Sequence, residues 1–356
     1  MNILHITEIG VRANGIGTVI DRLYKEQTNL NHNVKITSTE RNLAYKHLPL
    51  YYTPNVTDLE DMLKYWSPDV VLFHSIWIIQ YIPMAKLLRK KGIPYGVMMH
   101  GANSKENIKK GFLKKKVANA LWFNSFLNKA SGIIYLSEKE LENCVSKGLN
   151  DKNYIMPNGC EMVDVDIDNI YIHKPINIVY LGRLVLHHKG IDYLLDALDI
   201  LAKKESNDFH VTFYGNENDI DILEIKKRLK KLITIAHYAG PVYGKEKANV
   251  YKEADMFILT SRFEGMPMAV LEALSYGVPC LLTPGTNMSS DVMNSYAGWE
   301  TLCDAETIAR DIERAIAELK VNYKKIHQAA YNLSKNYDWK LIAKQSIEIL
   351  QTIRNK

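Results

Sequence analysis

Short apolar runs alternate along the chain with longer segments whose apolar positions recur every three or four residues, the pattern of strands feeding amphipathic helices. The first series of runs lies at residues 2–7, 34–37, 70–74, 95–100, 133–136 and 154–156. The pattern restarts after Pro175, with runs at 176–181, 211–214, 233–238, 256–260 and 279–283. Strands separated by helical segments predict βαβ units, so the expected fold class is α/β, with two doubly wound parallel sheets of the Rossmann type. Residues 156–175 hold the turn signal Pro157-Asn158-Gly159 and a polar, acidic stretch without periodicity, which marks a linker. The predicted N-terminal domain covers residues 1–165 and the C-terminal domain residues 170–337. Open parallel sheets bind ligands beyond the carboxyl ends of their strands, and two of them in one chain predict a cleft between facing lobes.

With 356 residues, 47% of them hydrophobic and 24% charged, the chain has ample apolar surface to bury, which excludes disorder as its main state. The most apolar stretch, residues 70–82, is broken by His74, Ser75 and Gln80, so no membrane span is expected. The opening residues lack a signal-peptide pattern, and Cys144, Cys160, Cys280 and Cys303 form no CxxC pair, so a cytoplasmic protein with reduced thiols is expected. Charge sharpens this picture. Residues 1–164 carry 21 Lys and Arg against 15 Asp and Glu, whereas the remainder carries 24 against 25. The basic half should face something anionic. No aromatic stacking motif accompanies the excess, so nucleic acid fits less well than a lipid or a phosphate-bearing substrate.

Three segments can carry chemistry. In residues 260–279, Pro267 suits a first helical turn and Gly277 a helix end, which predicts a helix from about 267 to 276. Its free N–H groups, including those of Met268 and Ala269, would make an anion site suited to a diphosphate. Glu264 and Glu272 lie eight residues apart and are no acid–base pair on one face; Glu264 can reach a ligand hydroxyl and Glu272 both hydroxyls of a ribose. In residues 181–190, Arg183 offers a fork and Lys189 a point charge, enough to neutralise a leaving diphosphate without a metal. Either could be substituted by Ala with more loss of turnover than of folding. Two solvated basic residues are the plain alternative, and His187 and His188 read as loop residues. In the first βα turn, Gly15 and Gly17 permit close backbone approach to an anion, but no GxGxxG fingerprint is present, which weakens a dinucleotide reading.

These segments resemble the retaining glycosyltransferases of the GT-B fold, family 4. The likeness rests on EGMPMAVLE at 264–272, GRLVLHHKG at 182–190, NGIG at 14–17, MPNG at 156–159 and His100-Gly101. It implies that Arg183 and Lys189 bind the donor diphosphate, Glu272 the ribose and Glu264 the transferred sugar. Gly15, Gly17, Gly265, Met266, Met268 and Ala269 would complete the donor site, with His100 beside the reacting centre. The catalytic set so implied is His100, Glu264, Arg183 and Lys189. Asn14 stands where the family often has a first glycine, and Arg183 and Lys189 are one residue further apart than is common. His74 with Trp77 resembles an acceptor-side feature, although core packing would also account for them. The resemblance further implies that a final helix, 338–356, returns to the N-terminal domain.

The acidic run Asp164, Asp166 and Asp168 lacks a strand and phosphate loop, so it reads as linker and no metal is expected. Lys109, Lys110, Lys114, Lys115 and Lys116 interleave with Phe112, Leu113, Val117, Leu121, Trp122 and Phe123. Such a helix can lie on an anionic membrane, at the inner face of the cell membrane, or is an ordinary helix with a lysine-rich face. The expected function is transfer of a sugar, with retention, from a nucleotide-sugar substrate, UDP-linked by preference. The expected acceptor is a glycan or polyprenyl-diphosphate-linked hydroxyl in capsule, O-antigen or exopolysaccharide synthesis. A hexosamine 2-epimerase and a non-catalytic nucleotide-sugar-binding protein are the alternatives.

Overall fold

The structure, a computed structural model, describes residues 1–9, 15–41, 45, 47–106, 112–204 and 208–355. The chain divides into two units, residues 1–159 with 339–356, and residues 160–338.

The first unit is built on seven parallel strands, β1 (Asn2–Thr7), β2 (Asn33–Ser38), β3 (Leu50–Tyr52), β4 (Val70–His74), β5 (Tyr95–Met98), β6 (Gly132–Tyr135) and β7 (Asn153–Ile155). Their order is β3-β2-β1-β4-β5-β6-β7. β4, β5 and β6 are buried along their whole length, as expected of strands covered by helices on both faces. The helix Gly15–Asn29 turns Val19, Ile20, Leu23 and Gln27 inward, a stripe at helical spacing that includes one polar member. The last helix, Trp339–Arg354, belongs to this unit. Gly96 of β5 and Gly132 of β6 leave the room that the Ile353 side chain fills, since a Cβ on either would stand 2.9 Å from it.

The second unit holds six parallel strands, β8 (Ile176–Leu181), β9 (Phe209–Tyr214), β10 (Ala236–Gly240), β11 (Met256–Leu259), β12 (Cys280–Leu282) and β13 (Gly298–Glu300). They are ordered β10-β9-β8-β11-β12-β13. Strand order therefore reverses between β1 and β4 in one sheet and between β8 and β11 in the other, and loops leaving such neighbours diverge to opposite faces and open a crevice. The 30-residue helix Ala305–Ser334 packs along this unit and departs from helical geometry at Asn322.

Several boundaries differ from the pattern reading. β3 and β13 are edge strands of three residues with mixed exposure, too short to show alternation. β10 begins at Ala236, because residues 230–235 form a turn in which Ile235 N–H donates to Leu232 O, leaving Ile233 exposed. The first helix starts at Gly15, so Gly15 and Gly17 lie in its first turn. Asn14 lies outside the described residues.

Candidate functional site

Two loops from the adjoining strands β8 and β11 meet at the switch point of the second unit. The β8 loop is pinned from below: Leu184 N–H donates to Asp219 at 2.6 Å, Leu186 N–H to Asp221 at 2.7 Å, and Tyr180 OH to Arg183 O at 2.9 Å. Gly190 has φ +62°, and a Cβ there would fall 1.9 Å from Thr260 O, so only glycine lets this loop close on the end of β11. Arg262 ties the second loop to the first. It donates to both oxygens of Asp192 at 2.7 Å and to His187 O at 2.6 Å, and its guanidinium covers the Tyr193 ring.

This framework brings Lys189 and Glu264 together. Lys189 Nζ donates to Glu264 Oε1 at 2.5 Å, the same oxygen accepts from Ser261 Oγ at 2.7 Å, and both side chains are close to nine-tenths buried. Burial alone would raise the Glu264 pKa, but the charge and hydrogen bond of Lys189 outweigh it and the net direction is down, so the carboxylate is ionised. Lysine has three N–H donors, and one is spent on Glu264. Arg183 is exposed; its neighbour is His188, whose Nδ1 stands 3.5 Å from the guanidinium. His188 lies flat on Phe263, ring centres 4.1 Å apart, and donates from Nε2 to Phe263 O at 2.9 Å, so Nδ1 is left as the acceptor turned toward Arg183. Burial lowers its pKa. His188 is thus a fitted part of the site, where sequence reading saw a loop residue.

The helix that follows β11 runs Met268–Ser275, one residue shorter at each end than predicted. Pro267 sits outside it in extended conformation and its carbonyl accepts from Val270 and Leu271 N–H. No side chain caps the helix, so the N–H groups of Met268 and Ala269 keep their hydrogen-bonding capacity among the described residues. Gly265 and Met266 form the turn before it. Asn287, in left-handed conformation, donates from Nδ2 to Glu264 O at 2.8 Å and Gly265 O at 2.9 Å, which holds that turn. Glu272 is engaged at both oxygens: Oε1 accepts from Lys247 Nζ at 2.6 Å and Oε2 from Tyr251 OH at 2.9 Å. Asn287, Lys247 and Tyr251 lie in segments without motif character, so spacing could not have singled them out.

In the first unit, His100 follows β5 with φ +51°, a left-handed conformation that a non-glycine residue adopts only when held there. Buried Glu140 helps hold it, its carboxylate accepting from the N–H groups of Gly101 and Leu136. His74 is buried between His5 and His100, and its two ring nitrogens face theirs. Trp77 donates to Ala102 O at 2.8 Å and packs edge-on against Phe123, so its indole N–H is spent inside the fold. Gly17 packs under the Tyr45 ring, where a Cβ would clash, while among the described residues nothing lies within 4 Å of a Cβ on Gly15. Packing is therefore the reason for the second glycine of NGIG. Of the lysines, Lys114 and Lys116 are exposed and Lys115 stands over the Trp77 ring at 5.5 Å, whereas Lys109 and Lys110 lie outside the described residues. Asp164 and Asp166 border a hollow of about 230 Å³ together with Tyr171, His173, Tyr251 and His327. Among the described residues no cluster of His, Cys, Asp and Glu could hold a metal ion.

Two Rossmann-like units in succession, the second with a cation, an ion pair and an uncapped helix at its switch point, have the architecture of the GT-B glycosyltransferase superfamily. The chain belongs to that superfamily: residues 13–163 match the model described as Glycosyltransferase Family 4 and residues 167–336 the model described as Glycosyl transferases group 1. It is 33% identical over 113 residues to mannosylfructose-phosphate synthase of Agrobacterium fabrum, a match covering 30% of this chain and 25% of that one. It is 24% identical over 274 residues to the capsular polysaccharide biosynthesis glycosyltransferase CapH of Staphylococcus aureus, covering 73% and 72%. The chain thus spans only a quarter of the first relative and under three quarters of the second. The solved structure of Anabaena Alr3699/HepE in complex with UDP superposes with a TM-score of 0.77 at 17% identity, over 99% of this chain and all of that one, a likeness of fold.

Proposed function

We propose that the chain is a retaining, metal-independent glycosyltransferase that moves a sugar from a UDP-linked donor to a hydroxyl of a glycan or polyprenyl-diphosphate-linked acceptor in surface-polysaccharide synthesis. The observation that carries this reading is the conjunction of Arg183, the Lys189–Glu264 pair and the free amides of Met268 and Ala269 at one switch point. Arg183 and the two remaining N–H donors of Lys189 meet the diphosphate, and the helix tip adds amides where negative charge grows on the leaving group. Glu264, kept ionised, accepts from a hydroxyl of the sugar. Glu272 takes the ribose hydroxyls, exchanging the Lys247 and Tyr251 contacts for them. The hollow of about 170 Å³ between Gly182, Gly215, Pro241, Val242 and Tyr243 adjoins Arg183 and suits the base. A bound UDP in a protein of like fold supports the choice of nucleotide.

Retention follows if the acceptor approaches from the face the diphosphate leaves. The acceptor oxygen bonds to the anomeric carbon as the carbon–phosphate-oxygen bond breaks, and the acceptor proton passes to that phosphate oxygen. No step calls for a metal, because the cations are side chains. The acceptor side of the reading rests on the first unit. Val117, Leu121 and Trp122 are exposed beside Lys114 and Lys116, and Lys86 and Arg89 border a groove of about 300 Å³ with Ile82, Leu121, Trp122 and Phe126. Apolar and basic groups together suit the surface of an anionic membrane, here its cytoplasmic face. The test is incubation with a panel of nucleotide sugars and lipid-linked acceptors, reading the new linkage by NMR. The reading expects a product of unchanged anomeric configuration in the presence of EDTA; an inverted product, or none without added metal, would contradict it.

A further inference from the structure

Behind His100 runs a line of buried side chains that ends on a group able only to accept. Ser346 Oγ lies 2.6 Å from Ala343 O, and a carbonyl accepts, so the serine hydroxyl donates there. Ser346 must then accept from its other neighbour, and Gln27 Nε2 donates to it at 3.0 Å. That sets the amide: Gln27 turns Oε1 toward His5 Nε2 at 2.9 Å, which must carry the proton. A neutral imidazole has one N–H and one bare nitrogen, so His5 Nδ1 is bare and accepts from His74 Nε2 at 2.8 Å. By the same step His74 Nδ1 is bare and accepts from His100 Nε2 at 2.9 Å. Gln27, His5, His74 and Ser346 are all buried to 1% exposure or less, and the three rings are stacked 5.1 and 5.2 Å apart. Burial keeps them neutral, lowering His5 to about 4, His100 to about 3 and His74 well below its usual value.

We propose that this one-way line of hydrogen bonds locks His100 in the tautomer protonated at Nε2, so that its Nδ1 is offered as an acceptor to a ligand hydroxyl. Gln27, His5, His74 and Ser346 are then positioning residues that act through His100, reaching back to the last helix of the chain. Among the described residues no group hydrogen-bonds His100 Nδ1. The assignment of a ligand hydroxyl as partner rests on the glycosyltransferase reading; the tautomer does not.

Long-range proton–nitrogen NMR of the full chain with labelled histidine separates protonated from bare ring nitrogens. At neutral pH His5, His74 and His100 should each show a protonated Nε2 and a bare Nδ1; a proton on His100 Nδ1 would overturn the proposal. Gln27→Met keeps the buried volume but removes the acceptor, and should scramble the His100 tautomer and lower kcat/KM for the donor by about tenfold, the loss of one hydrogen bond. Gln27→Glu, which still accepts from His5, should restore the wild-type tautomer and most of the rate. A scrambled tautomer with undiminished kcat/KM would sink the functional half. The wild-type spectrum needs no substrate and no variant, so it decides the tautomer even if Gln27→Met does not fold or the chain transfers no sugar.

Discussion

Lys189 and Arg183 looked equivalent as cations in one motif, but they differ in what surrounds them. Arg183 is exposed, and among the described residues its guanidinium has one hydrogen-bonding neighbour, His188 at 3.5 Å, so Arg183→Ala should leave the melting temperature unchanged and lower kcat by about a hundredfold, the usual loss of one group facing developing charge. Lys189 is buried against Glu264, and Lys189→Met would strand an ionised carboxylate in the interior, costing on the order of 3 kcal/mol in addition to activity. The expectation that replacing either residue costs turnover far more than folding therefore suits exposed Arg183 better than buried Lys189. Urea unfolding of Lys189→Met, Glu264→Gln and the double variant checks this. The double variant should be more stable than the sum of the single losses predicts, and strict additivity would contradict the pair. Motif spacing placed Arg183, Lys189 and Glu264 after β8 and β11, yet it could not show the 2.5 Å contact, because residues 75 apart in sequence meet only through the order of β8 and β11.

At the level of elements, the site is two loops held to one framework. Gly190 is where they touch, and Gly190→Ala would need both a strained φ and displacement of Thr260 O. It should destabilise the second unit by about 2 kcal/mol or more and raise the donor KM, read by calorimetry and initial rates. Strands with long apolar runs, such as β1, β4 and β8, stood at their expected limits because buried parallel strands write themselves as continuous hydrophobic stretches. The edge strands β3 and β13 did not, since half-exposed three-residue strands impose no pattern. The helix at 268 was legible from Pro267 and Gly277, but Pro267 proved to be the residue before the first turn. The histidine line was invisible for a different reason. His5 lies on β1, His74 ends β4 and His100 follows β5, and only adjacency in the sheet aligns them.

Across the molecule, acid should act on the first unit. His5, His74 and His100 have folded pKa values below the usual 6.5, so as pH falls below 6.5 the unfolded chain takes up protons that the folded one refuses, and stability declines. Glu140 opposes this: burial raises its pKa to about 7, so the folded state gains a proton there before the unfolded chain does. His32 is lowered as well and Glu8 is raised by burial and by Glu40, so four lowered histidines stand against two raised carboxyls and stability should fall as the pH drops from 7 toward 5.5. Tryptophan fluorescence in urea should show it, and His5→Gln should remove part of the slope; stability that rises on acidification would contradict the neutral histidines. No described helix is long and apolar enough to cross a membrane, so the lysine-rich face is the feature to test for membrane contact, by flotation with anionic vesicles at low and high salt.

The most direct test is a crystal structure of the chain with UDP. The diphosphate should lie against the Arg183 guanidinium, the Lys189 ammonium and the amides of Met268 and Ala269, with the ribose on Glu272 and no ion between them. A nucleotide seated elsewhere, or one whose phosphates reach these groups only through a bound metal, would contradict the account.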